Sequence, residues 1–148
     1  MATVERSIEI DAPVEEVFRY MDHPPHQAEI TPSMTEVKNV ERLPNGGSRA
    51  DWTYQIAGVP FRGTVEATEY VPNEKLAFSM TGSLEGTITW TFEPRNGGTW
   101  FTYSADYKIP VPALGESLAK LAAGYNEREV ESILQNLKEL MESREAES

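Results

Sequence analysis

The feature that most constrains this chain is a series of segments between residues 34 and 109 in which apolar and polar residues alternate, each ended by turn-forming residues. Period two places successive side chains on opposite faces of a strand. "ADWTYQIAG" sets Trp52, Tyr54 and Ile56 against Asp51, Thr53 and Gln55. "PFRGTVEATEYV" sets Phe61, Gly63, Val65, Ala67 and Glu69 against Arg62, Thr64, Glu66, Thr68 and Tyr70. "LAFSM" alternates Leu76, Phe78 and Met80, "TITWTFEP" alternates Ile88, Trp90 and Phe92, and "TWFTYSADYKI" alternates Phe101, Tyr103, Ala105, Tyr107 and Ile109. "MTEVKNVERL" opens the series with Val37 and Val40 three apart; that break, with Lys38, Glu41 and Arg42, predicts a bulged or edge strand. "PNGG", "GVP", "VPNEK", "TGSLEG" and "RNGG" lie between segments. Six strands joined this closely pair with their neighbours as an antiparallel meander.

Both flanks of the meander carry helix patterns. In "IEIDAPVEEVFRYMDHPPH" a strand from about Thr3 to Ile10, with Val4, Ile8 and Ile10 on one face, gives way to a helix start. Asp11 is expected to accept from free helix N–H groups, Pro13 supplies a preset φ, and Glu15 and Glu16 oppose the helix dipole. Val14, Val17, Phe18 and Met21 form one apolar stripe; Pro24 and Pro25 end that helix, and "HQAEITP" has room for one further turn before Pro32. After "PVPALG" the period becomes 3.6. Leu114, Leu118, Leu121, Tyr125, Ile133, Leu137 and Met141 recur at three-, four- and eight-residue intervals, widened by Val130, Leu134 and Leu140. This predicts one helix of about 30 residues, or about 45 Å, from near Leu114 to near Ser143, with residues 143–148 a frayed polar tail.

Composition narrows the function classes. The 148 residues suit one domain, with elements in the order strand, short helical pair, meander, long helix: an α+β, two-layer arrangement. There are no cysteines, which excludes disulfides, Cys-ligated zinc, iron–sulfur clusters and thiol catalysis. Acidic residues number 24 against 13 basic, a net charge of −11 without clustered Lys and Arg, so nucleic acid is not an expected partner. No run of about 18 apolar residues and no basic-then-apolar signal start occurs, and the expectation is a soluble, cytoplasmic protein without stable membrane insertion.

The chain resembles the START-like helix-grip superfamily (SRPBCC), which includes lipid-transfer START domains, plant hormone receptors and related allergens, polyketide cyclases and dehydrases, and coenzyme Q-binding proteins. The resemblance rests on "IEIDAPVEEVFRYMDHP", with its Ala-Pro, acidic pair, apolar–aromatic step and closing aspartate, on the meander, and on the long final helix. It implies a seven-stranded antiparallel sheet wrapped around the C-terminal helix, two short helices between strands 1 and 2, and a cavity between sheet and helix. Family members carry lipophilic or aromatic molecules, a minority cyclise or dehydrate polyketides, and others bind proteins.

Several residues admit a chemical and a structural role. His23 and His26 form an H-x-x-H pair, but two prolines break the spacing and no third ligand is fixed locally, so they read as a surface or loop-capping pair and no metal is expected; the resemblance, which sets the short helices beside the cavity entrance, implies a place at its mouth for one of them. Trp52, Tyr54, Phe61, Val65, Phe78, Met80, Ile88, Trp90, Phe101, Tyr103, Tyr107, Leu118, Leu121 and Tyr125 are candidates to line a ligand cavity, and each is equally suited to solid core. Glu69 alternates inward, where burial would raise its pKa and suit acid or base work with Tyr54 or Tyr103; a wet position at the strand's end is its ordinary alternative. Asp106 alternates outward. No nucleophile–base pair, phosphate loop, dinucleotide fingerprint or cofactor motif appears. The leading expectation is a carrier of a small lipophilic molecule; a cyclase or dehydratase and a cavity-free protein-interaction module are the alternatives, with no protein partner indicated.

Overall fold

The six alternating segments form consecutive strands: β2 (Met34–Arg42), β3 (Ser48–Ile56), β4 (Val59–Val71), β5 (Lys75–Gly82), β6 (Glu85–Arg95) and β7 (Gly98–Lys108). The computed structural model describes residues 2–56, 58–108 and 115–147, and of these the side chains of 2, 56, 59, 115–123, 125, 126 and 147 are not described. Strand β1 (Ala2–Ile10) pairs with β7, completing a seven-stranded antiparallel sheet in the order β1-β7-β6-β5-β4-β3-β2. The hairpin between β6 and β7 closes on two residues: Arg95 pairs with Gly98, and Asn96 and Gly97 both take positive φ (53° and 83°). That is the twist-matched turn that Asn-Gly favours.

Between β1 and β2 the chain makes α1 (Val14–Met21), a 3-10 turn (Pro24–His26) and α2 (Gln27–Ile30). The α1 stripe is buried as its spacing requires: Val17 and Phe18 face the sheet, where the Phe18 ring meets Phe92 edge-on at 5.1 Å and Tyr70 at 5.6 Å. Thr99 donates a buried hydrogen bond of 2.8 Å to the Ala12 carbonyl, fixing the corner from strand to helix. Asp11 does not cap this helix. The first helical residue is Val14, its N-cap Pro13 is extended with no side-chain cap, and Asp11 stands two positions further out; its backbone N–H instead donates to Glu142 at 2.9 Å.

The terminal helix α3 (Gly115–Glu147) lies across the concave apolar face and buries Val130, Ile133, Leu134, Leu137 and Met141. It remains helical past Ser143 to Glu147, and the Arg144 guanidinium lies 5.1 Å from the centre of the Tyr20 ring. Leu114 and Ile109 lie outside the described residues, as do the side chains of Leu118, Leu121 and Tyr125.

Alternation fails at one place in β4. Ala67 pairs with Phe78 but Glu69 pairs with Ala77, a β-bulge that adds one residue and inverts the faces beyond it. Glu69 is therefore exposed and ion-paired to Lys75 at 2.6 Å, while Tyr70 turns inward, packs on Phe18 and donates to Asp22 at 2.9 Å. At the opposite edge, β2 carries two register shifts and Asn39 at a positive φ of 56°, the irregular edge strand that its sequence predicts.

Candidate functional site

The sheet is not filled against the helices everywhere. A cavity of about 60 Å³ lies between it and the short helices, and beside it a smaller one of about 30 Å³ lies between it and α3; Tyr54, Ile88 and Tyr103 border both. The larger, outer lobe is walled by Trp52, Val65, Phe78 and Trp90 from the sheet and by Met21, Asp22, Pro24 and Gln27 from the short helices. Asp22, Pro24, Gln27, Met34 and Val37 on its rim are partly exposed, and there the space meets solvent. The inner lobe is bordered by Met80, Leu84, Ala105 and Tyr107 of the sheet side, by Glu129 and Ile133 of α3, and by Ser33.

The wall is aromatic because β3, β6 and β7 place Trp, Tyr and Ile at alternate positions on the face turned to α3. Trp52 lies opposite Gly63, and a Cβ at Gly63 would come within 2.6 Å of the indole and 2.0 Å of the Thr81 carbonyl oxygen. The missing side chain lets the indole lie flat on β4. Trp52 meets Tyr54 at 5.0 Å and Trp90 meets Phe78 at 4.9 Å, ordinary aromatic contacts.

Polar atoms on these walls lack partners. The indole N–H groups of Trp52 and Trp90 and the hydroxyl of Ser48, all on residues lining the outer lobe, are enclosed without a hydrogen-bond partner among the described residues. An enclosed donor left unpaired costs about 1–3 kcal/mol. Tyr54 and Tyr103 also make no hydroxyl hydrogen bond among the described residues. Tyr54 keeps some accessible surface because its ring borders open space, while its hydroxyl is deep; burial, then the charge of Glu129, pushes its phenol above the ordinary range. Burial likewise raises Tyr103 well above that range, with Tyr54, Glu129 and Tyr107 adding to it. Both phenols are protonated donors at neutral pH.

Of the residues expected to line a cavity, Trp52, Tyr54, Val65, Phe78, Met80, Ile88, Trp90, Tyr103 and Tyr107 do border one of the two lobes. Phe61 and Phe101 do not: both are buried core, and Phe101 is packed against Phe92. Glu69 is removed from the acid–base candidates by the bulge, and Asp106 lies on the outer face, accepting from Thr3 at 2.7 Å. The histidines flank the rim without lining it. The His26 and Tyr20 rings stack at 4.2 Å, and His26 Nδ1–H donates to the Tyr20 carbonyl at 2.9 Å, which fixes the tautomer and ties the 3-10 turn to α1. The Tyr20 hydroxyl donates to Glu29 at 2.7 Å, and burial followed by that bond raises its pKa. Among the described residues no group of three or more potential ligands could hold a metal.

The residue that pattern reading missed is Glu129. It is 8% exposed, and its Oε1 accepts from both the Ser33 N–H (2.8 Å) and the Ser33 hydroxyl (2.6 Å). The eight-residue step from Tyr125 to Ile133 held the signal, since Glu129 stands midway and so on the same helix face.

Over residues 1–142 the sequence matches the profile of the family described as polyketide cyclase/dehydrase and lipid transport. The chain belongs to that family. Solved structures of the same fold include TTHA0849 from Thermus thermophilus, 25% identical, TM-score 0.78, covering 96% of this chain and 98% of that one. The Zhui aromatase/cyclase from Streptomyces sp. R1128 is 15% identical with a TM-score of 0.80, covering 96% and 94%. A START superfamily protein from Mycobacterium smegmatis is 14% identical with a TM-score of 0.74, covering 95% and 99%. No curated protein matches the chain in sequence. Membership in the polyketide cyclase/dehydrase and lipid transport family supports a ligand-binding or cyclase-like role, and the fold is the helix-grip arrangement of the START superfamily. No described helix of this family member is long and apolar enough to cross a membrane.

Proposed function

We propose that the protein, acting as a single domain, binds and carries a small apolar or aromatic molecule in the two-lobed space between the sheet, the short helices and α3. The observation that carries this reading is the outer lobe itself: aromatic walls, a rim that meets solvent, and two tryptophans whose N–H groups have no acceptor among the described residues. Apolar burial supplies affinity at roughly 25 cal/mol per Å², and a small shift of either indole on binding would bring its enclosed N–H to an acceptor atom on the ligand. Native mass spectrometry of the protein as expressed, with titration by the neutral fluorophore N-phenyl-1-naphthylamine, tests it. A retained small molecule or saturable binding quenched through Trp52 and Trp90 is expected. The absence of both a retained mass and saturable binding would overturn the carrier reading.

One observation favours a second reading, a cyclase or dehydratase. The inner lobe brings a carboxylate, Glu129, to the same space as the phenols of Tyr54 and Tyr103. A carboxylate is suited to accept a proton from carbon next to a carbonyl, and a protonated phenol to donate to the developing enolate oxygen. The Streptomyces neighbour is an aromatase/cyclase. Turnover of a poly-β-keto thioester that falls at least about 100-fold in both Glu129→Gln and Tyr103→Phe is the expected result of that reading; equal turnover in the variants removes it. The interaction-module reading gains no support here, as only Val40 and Val71 are large exposed apolar residues among those described.

A further inference from the structure

Glu129 is an acidic group placed where the fold gives it half of what it needs. Every ion pair of the described residues has partly exposed partners, such as Glu131 with Arg6 at 3.2 Å, two residues along α3 from Glu129. Glu129 is buried on α3 and has no Lys, Arg or His partner among the described residues. Its two hydrogen bonds both come from Ser33 and both end on Oε1. Oε2 takes neither, and the residue borders the inner lobe, whose other walls are apolar side chains, phenols and Ser33. A buried carboxylate needs donors on both oxygens, because its lost hydration is otherwise uncompensated. The remaining acceptor therefore presents itself to whatever enters the lobe.

The sign of this demand is selective. A hydroxyl or an ammonium group on the end of a ligand supplies a proton to Oε2, and a charge-assisted hydrogen bond is about twice as strong as a neutral one. A carboxylate end brings a second negative charge with no proton, into a site with no cation among the described residues and inside a chain of net charge −11.

We propose that Glu129 selects the ligand by its polar end: the cavity accepts apolar or aromatic molecules that end in a hydroxyl or an amine and excludes those that end in a carboxylate. This rests on the carrier reading and adds to it the chemical class of the cargo. The polar end lies in the inner lobe beside Glu129, Tyr54 and Tyr103, and the apolar body lies between Trp52 and Trp90 in the outer lobe.

The test uses three probes with one ring system and different ends: 2-naphthylmethanol, 2-naphthylmethylamine and 2-naphthoate, titrated into the full chain by calorimetry at pH 7. The wild-type protein is expected to bind the alcohol and the amine at least about ten-fold more tightly than the naphthoate. Glu129→Gln keeps an acceptor for Ser33 and removes the charge; the amine should weaken and the naphthoate strengthen, closing the gap to within about three-fold. Glu131→Gln, on the exposed side of the same helix, should leave the order unchanged. Naphthoate binding as tight as the alcohol in the wild type, or an order unaltered in Glu129→Gln, overturns the selection by Glu129 while leaving the carrier reading intact. Binding of none of the three would instead remove the carrier reading and this inference with it. The wild-type comparison stands even where a variant fails to fold.

Discussion

The inward face of β6 and β7 is solid at one end and hollow at the other. At the solid end Phe92 pairs with Phe101, and the Phe92 ring meets both Phe101 and Phe18 in the same core cluster as Leu137 and Met141 of α3, with nothing exposed at Phe101. One rung further along the same face, Trp90 pairs with Tyr103, and these side chains border open space. The two ends differ in which aromatic residues they use. Phenylalanines, with no polar atom, fill the packed end; tryptophans and tyrosines, each with a polar tip, surround the hollow one, joined by Phe78. A polar tip is a liability in a sealed core and an asset beside a space that admits water or ligand, so the choice of aromatic marks where the core stops.

That contrast predicts unequal costs. Phe101→Ala should lower stability by about 3–5 kcal/mol in urea denaturation, as expected for a ring removed from a filled core; a loss below about 1 kcal/mol would mean that the solid end is hollow too. Gly63→Ala, which sets a Cβ against the Thr81 carbonyl and the Trp52 indole, should cost about 1–3 kcal/mol and move the intrinsic fluorescence. An unchanged emission spectrum would break the link between that glycine and the cavity wall. Tyr103→Phe should change stability by no more than about 0.5 kcal/mol, since it removes a hydroxyl with no partner among the described residues and keeps the ring. A large loss would place that hydroxyl in a packed polar network. The smallest effect is the pH dependence that comes from the raised phenols, which is flat at neutral pH and felt only in alkali. With folded pKa values above the unfolded value of about 10, Tyr54 and Tyr103 contribute stability fully present below that pH and lost as pH rises through their folded values. Absorbance at 295 nm should therefore show them ionising only above the ordinary range, together with alkaline unfolding, whereas Tyr103→Phe should shift that unfolding.

The element order, the meander and the face of almost every strand residue were legible because alternation and turn residues are local properties. Three features were not, and each depends on a partner distant in the chain. The β4 bulge inverts Glu69 and Tyr70 because Tyr70 must meet Phe18 and Asp22, contacts that no window around residue 69 contains. Asp11 has every local mark of a cap, yet the chain turns at Pro13 and its N–H goes to Glu142 at the far end of α3. Glu129 sits on the buried face of α3 because Ser33, before β2, supplies two donors. The division of the aromatics was equally hidden: alternation puts Phe61, Phe101, Trp90 and Tyr103 all inward, and only the packing of α1 and α3 decides which of them find the space filled.

The pairing of β1 with β7 has a consequence for how the chain is made. Strands β2 to β7 find their neighbours through short turns, and each hairpin can close soon after it leaves the ribosome. Ile10 must wait for Thr99, and Ala2 for Tyr107. Until then Val4, Ile8 and the α1 stripe are apolar surface without a partner, and joining them closes the longest loop in the sheet, the slowest kind of contact to form. Of the strands in this sheet β1 is thus made before the others and docked after them, and the interval between the two is when this domain is most exposed to aggregation and to chaperones.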